Sequence, residues 1–333
     1  MIKIILIVGI ILGSSSAFLS QSEAQQVLQS GKKEIPKITF KNLSPPYMNY
    51  DYFRGCKKNG FQYNATSFNL INAWWLMEVS TLVYADEDFV RSQFRKTGLQ
   101  EVKFFDKQST QCYVANNEKF AIVAFRGSEI WKKKEKFDPK KVIADLMVNV
   151  DIWLTDWQQG GKVHRGFKKA LDEVWPDLLP RIIKLHSKGR KIWVTGHSLG
   201  GALATLFAGR YGNVHGVYIF GSPRVGDDVF KENFRQKIYR IVNNDDIVPR
   251  VPPRGAYVHV GELKFIDGDG IIRDTMNESD RPDNLPDDGT DGQSNSDEPE
   301  INSFRGFIPS GFRDHMPLLY AIHIWNNIIE SRQ

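Results

Sequence analysis

The chain has 333 residues, 41% of them hydrophobic and 25% charged, with a formal net charge of +5. That length supplies one large core, and α/β folds of this size often form a single domain. Beyond the first dozen residues no apolar run reaches the ~18 needed to cross a bilayer, and the lysines gather in one loop without a nucleic-acid motif, which argues against nucleic-acid binding.

Residues 1–17 have the organisation of a secretory signal. Lys3 is the charged start, Ile4 to Leu12 the apolar stretch, and Ser15-Ser16-Ala17 the small residues at a cleavage site. Secretion implies an oxidising compartment, where a disulfide between the two cysteines, Cys56 and Cys112, is expected. Two cysteines this far apart do not make a zinc site by themselves. Asn64-Ala65-Thr66 and Asn277-Glu278-Ser279 are glycosylation acceptors in a eukaryotic host, and Asn42-Leu43-Ser44 is a weaker one because Pro45 follows.

Residues 18–66 are polar and interrupted by Pro36, Pro45, Pro46 and Gly55, and form an extended lead-in. A helix is predicted from Ser67 to about Phe94, with Leu70, Ile71, Trp74, Trp75, Val79, Leu82 and Val83 on a broad apolar face. The two tryptophans are read as core. Short strands follow at Val102–Phe105, Gln111–Val114 and Lys119–Phe125. Gly166–Leu185 has helical spacing, and Pro176 and Pro180 are expected to break or kink it. A strand over Ile192–Thr195, an Ala-rich helix, a strand over Val217–Phe220, a helix around Asp227–Arg235 and a strand over Ile238–Val242 complete the pattern. Alternating strands and helices predict a mostly parallel central sheet with helices on both faces, and one domain over residues 67–333.

Residues 267–300 hold twelve Asp and Glu but only two arginines, a local charge of −10 that leaves +15 for the remainder. The wider stretch 267–303 is expected to be a solvated, mobile loop. Its acids lack EF-hand spacing, so no calcium site is assigned. The basic remainder suits contact with an anionic membrane surface.

The chemistry centres on Gly196-His197-Ser198-Leu199-Gly200. A G-x-S-x-G at a strand-to-helix turn is a nucleophile elbow, in which a strained serine needs almost no side chain two residues to either side. The following helix aims its first amides at the site, so the Leu199 N–H is one oxyanion donor. A serine needs a base, and the base an orienting acid, in the chain order Ser, Asp or Glu, His. Of the later histidines, His215 opens a strand, His259 lies in an alternating strand pattern and His323 falls inside a helix. His315 lies between a loop and an apolar helix, where catalytic residues are common, and is the favoured base. The acid belongs at the end of Ile238–Val242, where Asp245 and Asp246 are adjacent and both remain open.

These segments resemble the class 3 (fungal-type) lipase family of α/β-hydrolases. The resemblance rests on Phe125-Arg126-Gly127-Ser128, Ala144-Asp145-Leu146, Val163 to Phe167, Thr195 to Ala202, Phe220 to Asp227, Asp246 to Pro253 and Asp314-His315, in family order over about residues 120–316. It implies an α/β-hydrolase fold, a Ser198–Asp246–His315 triad, and Ser128 as the second oxyanion donor beside Leu199. Arg126 and His164 belong to the matching motifs but do not follow the triad order, so both are read as structural, and the mechanism needs no metal or organic cofactor. The resemblance further implies a lid over residues 129–142. Within that lid, Trp131, Phe137 and several lysines suit a lipid surface. The expected activity is secreted serine hydrolysis of lipid carboxylic esters, triacylglycerol first, acting at a lipid–water interface without an obligate protein partner. Phospholipase A1-type cleavage of anionic phospholipid is the alternative on charge grounds, and esters of aromatic acids on polysaccharides are a third. A catalytically inactive lipid-binding protein is the reading from another class; retention of serine, acid and histidine argues against it.

Overall fold

The computed structural model describes residues 31–128, 153–276 and 308–332. The expected signal segment, the lid and the acidic stretch from residue 277 to 303 lie outside the described residues. Near-continuous apolar runs form the centre of the fold because these strands are covered on both faces. β1 (Glu101–Asp106), β2 (Gln111–Asn116) and β3 (Phe120–Phe125) make an antiparallel meander. β4 (Leu154–Asp156) and β5 (Lys162–His164) pair separately as a small antiparallel ribbon. Five strands then run parallel: β3, β6 (Lys191–His197), β7 (Gly216–Phe220), β8 (Ile238–Asn243) and β9 (Glu262–Ile266). β10 (Ile272–Arg273) closes the far edge antiparallel to β9, giving the order β1-β2-β3-β6-β7-β8-β9-β10. With helices on both faces this is an α/β-hydrolase fold.

Side chains alternate across the sheet. Trp193, Tyr218 and Tyr239 face α1 (Leu70–Leu82) on one side. Ile192, Val194, Val217 and Ile219 face α3 (Arg165–Ser187) and α4 (Leu199–Tyr211) on the other. The predicted helix from Ser67 to Phe94 is in fact two. α1 ends at Leu82, and the Asp86 side chain accepts the Phe89 N–H at 2.9 Å, starting α2 (Glu87–Lys96) with a cap of its own. α3 runs unbroken through Pro176 and Pro180, contrary to expectation. Both prolines lie on its exposed side, so the carbonyls they leave unpaired face water, while Leu171, Val174, Leu178 and Ile182 hold the helix to the sheet.

The expected Cys56–Cys112 disulfide is absent, and both cysteines are free. Cys112 is buried among the side chains facing α3 and α4, whereas Cys56 packs against the opposite core, so the sheet separates them. A disulfide requires Cα atoms within about 7 Å. The described part of the lead-in is more than an extended arm, because Tyr52, Phe53 and Phe61 are buried against α1. The chain continues through α5 (Asp228–Asn233), and ends with α6 (Ser310–Arg313) and α7 (Pro317–Glu330), which packs on α1. His315 lies between α6 and α7.

Candidate active site

Parallel strands deliver their carboxyl ends to one edge of the sheet, which is where ligands bind in open α/β folds. The chain leaves β6 into α4 through Ser198, whose φ of +59° and ψ of −131° are unusual for a residue with a side chain. The Ser198 N–H donates to the Phe220 carbonyl at 3.0 Å, and its own carbonyl accepts the Gly201 N–H at 2.9 Å. So tight a turn admits nothing larger than glycine two residues to either side of the serine. A Cβ on Gly196 would lie 2.1 Å from the Gly200 carbonyl oxygen, and one on Gly200 would lie 2.2 Å from that of Phe125.

The Ser198 Oγ lies 3.0 Å from His315 Nε2, and His315 Nδ1 lies 2.9 Å from Asp246 Oδ2. All three residues are buried. A carboxylate only accepts, so the imidazole proton sits on Nδ1, and the bare Nε2 faces the serine hydroxyl. The structure thus brings together the serine, acid and histidine that the sequence singles out.

It also separates the two aspartates. Asp246 follows β8 in a turn closed by its own N–H to the Asn243 carbonyl (2.9 Å), and its Oδ1 accepts the Val248 N–H at 2.9 Å. Asp245 turns outward, with a half-exposed side chain reaching Arg250 at 3.5 Å.

Tyr320 supports the acid without a sequence signal of its own. The Tyr320 hydroxyl, from the first turn of α7, donates to Asp246 Oδ2 at 2.5 Å and accepts the Asn243 N–H at 3.0 Å. Burial and the adjacent Asp246 push the Tyr320 pKa well above its ordinary value, so the phenol keeps its proton. Asp314 accepts the Asn244 side-chain N–H at 2.9 Å and Arg313 Nε–H at 2.8 Å, and the Asn243 side chain donates to the Asp314 carbonyl at 2.9 Å. The acid-bearing turn and the histidine-bearing loop are therefore stitched together.

Leu199 is the first residue of α4, where an amide has no partner within the helix. Ser128 lies three residues beyond the end of β3, on the segment whose Phe125 carbonyl abuts Gly200. Arg126 and His164 do structural work. Arg126 donates to the Tyr84 carbonyl at 2.9 Å and to the Gln111 side chain at 2.6 Å. His164 caps α3 and stacks on Phe167 with ring centroids 3.8 Å apart.

The alternative histidines have other partners. The His259 Nε2–H donates to the Pro249 carbonyl at 2.8 Å, and His215 Nε2–H to the Ala65 carbonyl at 3.1 Å. His323 lies in α7, as predicted, over Gly270. Among the described residues no group of three or more His, Cys, Asp and Glu is arranged to hold a metal ion, and no helix is long and apolar enough to cross a membrane.

Residues 122–256 match the family model described as Lipase (class 3). The secreted mono- and diacylglycerol lipase 1 of Fusarium solani is 36% identical over 145 residues, covering 38% of this chain and 44% of that protein. A lipase of Rhizomucor miehei is 33% identical over 189 residues, covering 50% of this chain and 49% of its own length. The solved structure of the Rhizomucor miehei triacylglyceride lipase superposes with a TM-score of 0.42 at 28% identity, over 52% of this chain and 69% of that one. The chain thus spans somewhat less than half the length of these two curated relatives. Over the matched segment the chain is similar to class 3 lipases.

Proposed function

We propose that this protein is a secreted serine lipase that hydrolyses carboxylic esters of lipids through an acyl-enzyme. The observation that carries the reading is the continuous relay from Ser198 Oγ through His315 to Asp246, at 3.0 and 2.9 Å, on a strained strand-to-helix turn. His315 Nε2 takes the hydroxyl proton as Ser198 Oγ attacks the ester carbonyl. Asp246 holds the Nδ1 tautomer and stabilises the imidazolium that forms. The N–H of Leu199 and Ser128 receive the negative charge on the former carbonyl oxygen, each worth about 3 kcal/mol of barrier. His315 returns the proton to the departing alcohol, and then activates the water that cleaves the acyl-serine.

Acylglycerols are the favoured substrates, in line with the mono- and diacylglycerol lipase name of the Fusarium relative and the triacylglyceride lipase name of the Rhizomucor protein. Triacylglycerol stands first. The surplus of +15 outside residues 267–300 favours a second reading, acyl cleavage of anionic phospholipid at a membrane surface. The test is fatty-acid release from triacylglycerol emulsions, diacylglycerol emulsions and anionic phospholipid vesicles, beside Ser198→Ala. Release that vanishes in the variant supports the lipase reading, and the fastest substrate names the specificity. Release that persists in the variant overturns it.

A further inference from the structure

Besides the relay, a second buried chain of hydrogen bonds runs from Tyr84 through His197 to the backbone of His315. His197 precedes Ser198 and is buried. Its Nε2 lies 2.9 Å from the backbone carbonyl of His315, and its ring lies 4.5 Å from the His315 ring between centroids. A carbonyl only accepts, so the His197 proton is on Nε2. Its Nδ1 therefore offers a lone pair, and the Tyr84 hydroxyl donates to it at 3.1 Å. Burial and the neighbouring His315 hold the His197 pKa well below its ordinary value, and burial raises that of Tyr84, so both stay neutral in these roles.

Tyr84 lies in the break between α1 and α2, the interruption that the helical pattern conceals. Its hydroxyl fills the space that a side chain at 127 would take: a Cβ on Gly127 would lie 1.9 Å from it. Its carbonyl accepts from Arg126, whose guanidinium also lies 5.9 Å from the centre of the Tyr84 ring. The phenol thus leans on Arg126-Gly127, immediately before Ser128, while its hydroxyl reaches through His197 to the backbone of His315.

Resting on the lipase reading above, we infer that Tyr84 and His197 are a positioning pair that fixes the backbone of the catalytic base relative to the turn bearing the oxyanion donor Ser128. Neither contacts substrate. Their effect is on the geometry in which base and oxyanion donors act together, so they act on turnover rather than on ester binding.

The test uses the full chain on a soluble ester, p-nitrophenyl butyrate, with sites counted by fluorophosphonate titration. Tyr84→Phe removes one oxygen and keeps the ring. It is expected to lower kcat per titrated site about tenfold with KM within about twofold. His197→Leu is expected to lower it further. His197→Gln, which keeps an N–H within reach of the His315 carbonyl, is expected to recover part of the loss. A Tyr84→Phe enzyme that loses thermal stability but keeps kcat per titrated site within about twofold of wild type overturns the inference, and decides the matter even where His197→Leu does not fold. Equal kcat for His197→Gln and His197→Leu overturns it as well. Persistent activity in Ser198→Ala on the same ester is a different result, because it overturns the underlying lipase reading itself.

Discussion

The two faces of the central sheet are built on different principles. Toward α3 and α4 the core is mainly apolar, with Val194, Leu178, Leu203, Leu206 and Phe207 packed together and the Arg210 guanidinium lying over the Trp157 and Trp175 rings. Toward α1 and α7 the core is aromatic and threaded with polar contacts. Glu78 is fully buried there, accepting from the Trp74 indole at 2.9 Å and the Tyr50 hydroxyl at 2.6 Å. On the same face Ser80 meets Thr195 at 2.9 Å, and the Tyr218 hydroxyl accepts the Asn69 N–H at 2.9 Å. Tyr320, which bonds the acid of the candidate triad, comes from α7 on this second face. An apolar face contributes stability that is indifferent to direction, whereas a hydrogen-bonded face specifies where particular atoms sit. The hydrogen-bonded support of the acid therefore comes from the α1 and α7 side of the sheet, and the more uniformly apolar packing lies on the other.

Substitutions can break that division, beginning where the expected effect is largest. Ser198→Ala should lower kcat by ~10⁶ without loss of stability, measured by ester hydrolysis and thermal unfolding together. Asp246→Ala should lower kcat by ~10⁴, while Asp245→Ala, whose side chain faces solvent, should stay within about twofold. The reverse ranking would move the acid by one residue.

The division itself is tested by a matched pair. Leu178→Ala on the apolar face should reduce unfolding free energy by about 2–5 kcal/mol with kcat of the folded enzyme unchanged. Tyr320→Phe on the polar face should instead lower kcat about tenfold while stability moves little, as read by kinetics beside denaturant titration. Comparable kcat losses in both variants would show that the two faces are not separable.

The smallest effect is on pH dependence of stability. Burial, Arg240, Arg224 and Arg254 hold the His259 pKa well below its ordinary value, and burial does the same for His197. The unfolded chain therefore binds protons that the folded one does not. The stabilisation is fully present above the unfolded value near 6.5 and is lost as pH falls below it, by up to roughly 1.4 kcal/mol per pH unit for each histidine. Denaturant midpoints measured between pH 7 and 5 should fall, and His259→Gln should shallow the slope.

Much of the site was legible because its chemistry imposes local patterns. The elbow demands small residues at fixed offsets from Ser198, and the close approaches at Gly196 and Gly200 are the physical form of that demand. The identity of the acid was not legible from local pattern alone, since Asp245 and Asp246 differ only in the direction their turn points them. Tyr320 and Tyr84 carry no local signal for a related reason: a tyrosine within an apolar pattern reads as core, and the hydroxyl's partner lies 74 residues away in one case and 113 in the other. Cysteine counting failed at Cys56 and Cys112 because it carries no information about which face of a sheet a residue occupies. The proline rule failed at Pro176 and Pro180 because it is a statement about backbone hydrogen bonds, and on the exposed side of α3 water can take their place.

By itself, then, the order of residues determined the alternation of strands and helices, the strained turn at Ser198 and the chain order of serine, acid and histidine. Each of these follows from interactions among near neighbours. The tertiary structure alone decided which hydroxyls hold the acid and the neighbouring histidine, and that the two cysteines never meet; it also turns Asp246 rather than Asp245 toward His315, as the family resemblance implies. Those are contacts between residues remote in sequence, set by how the sheet stacks its edges and faces.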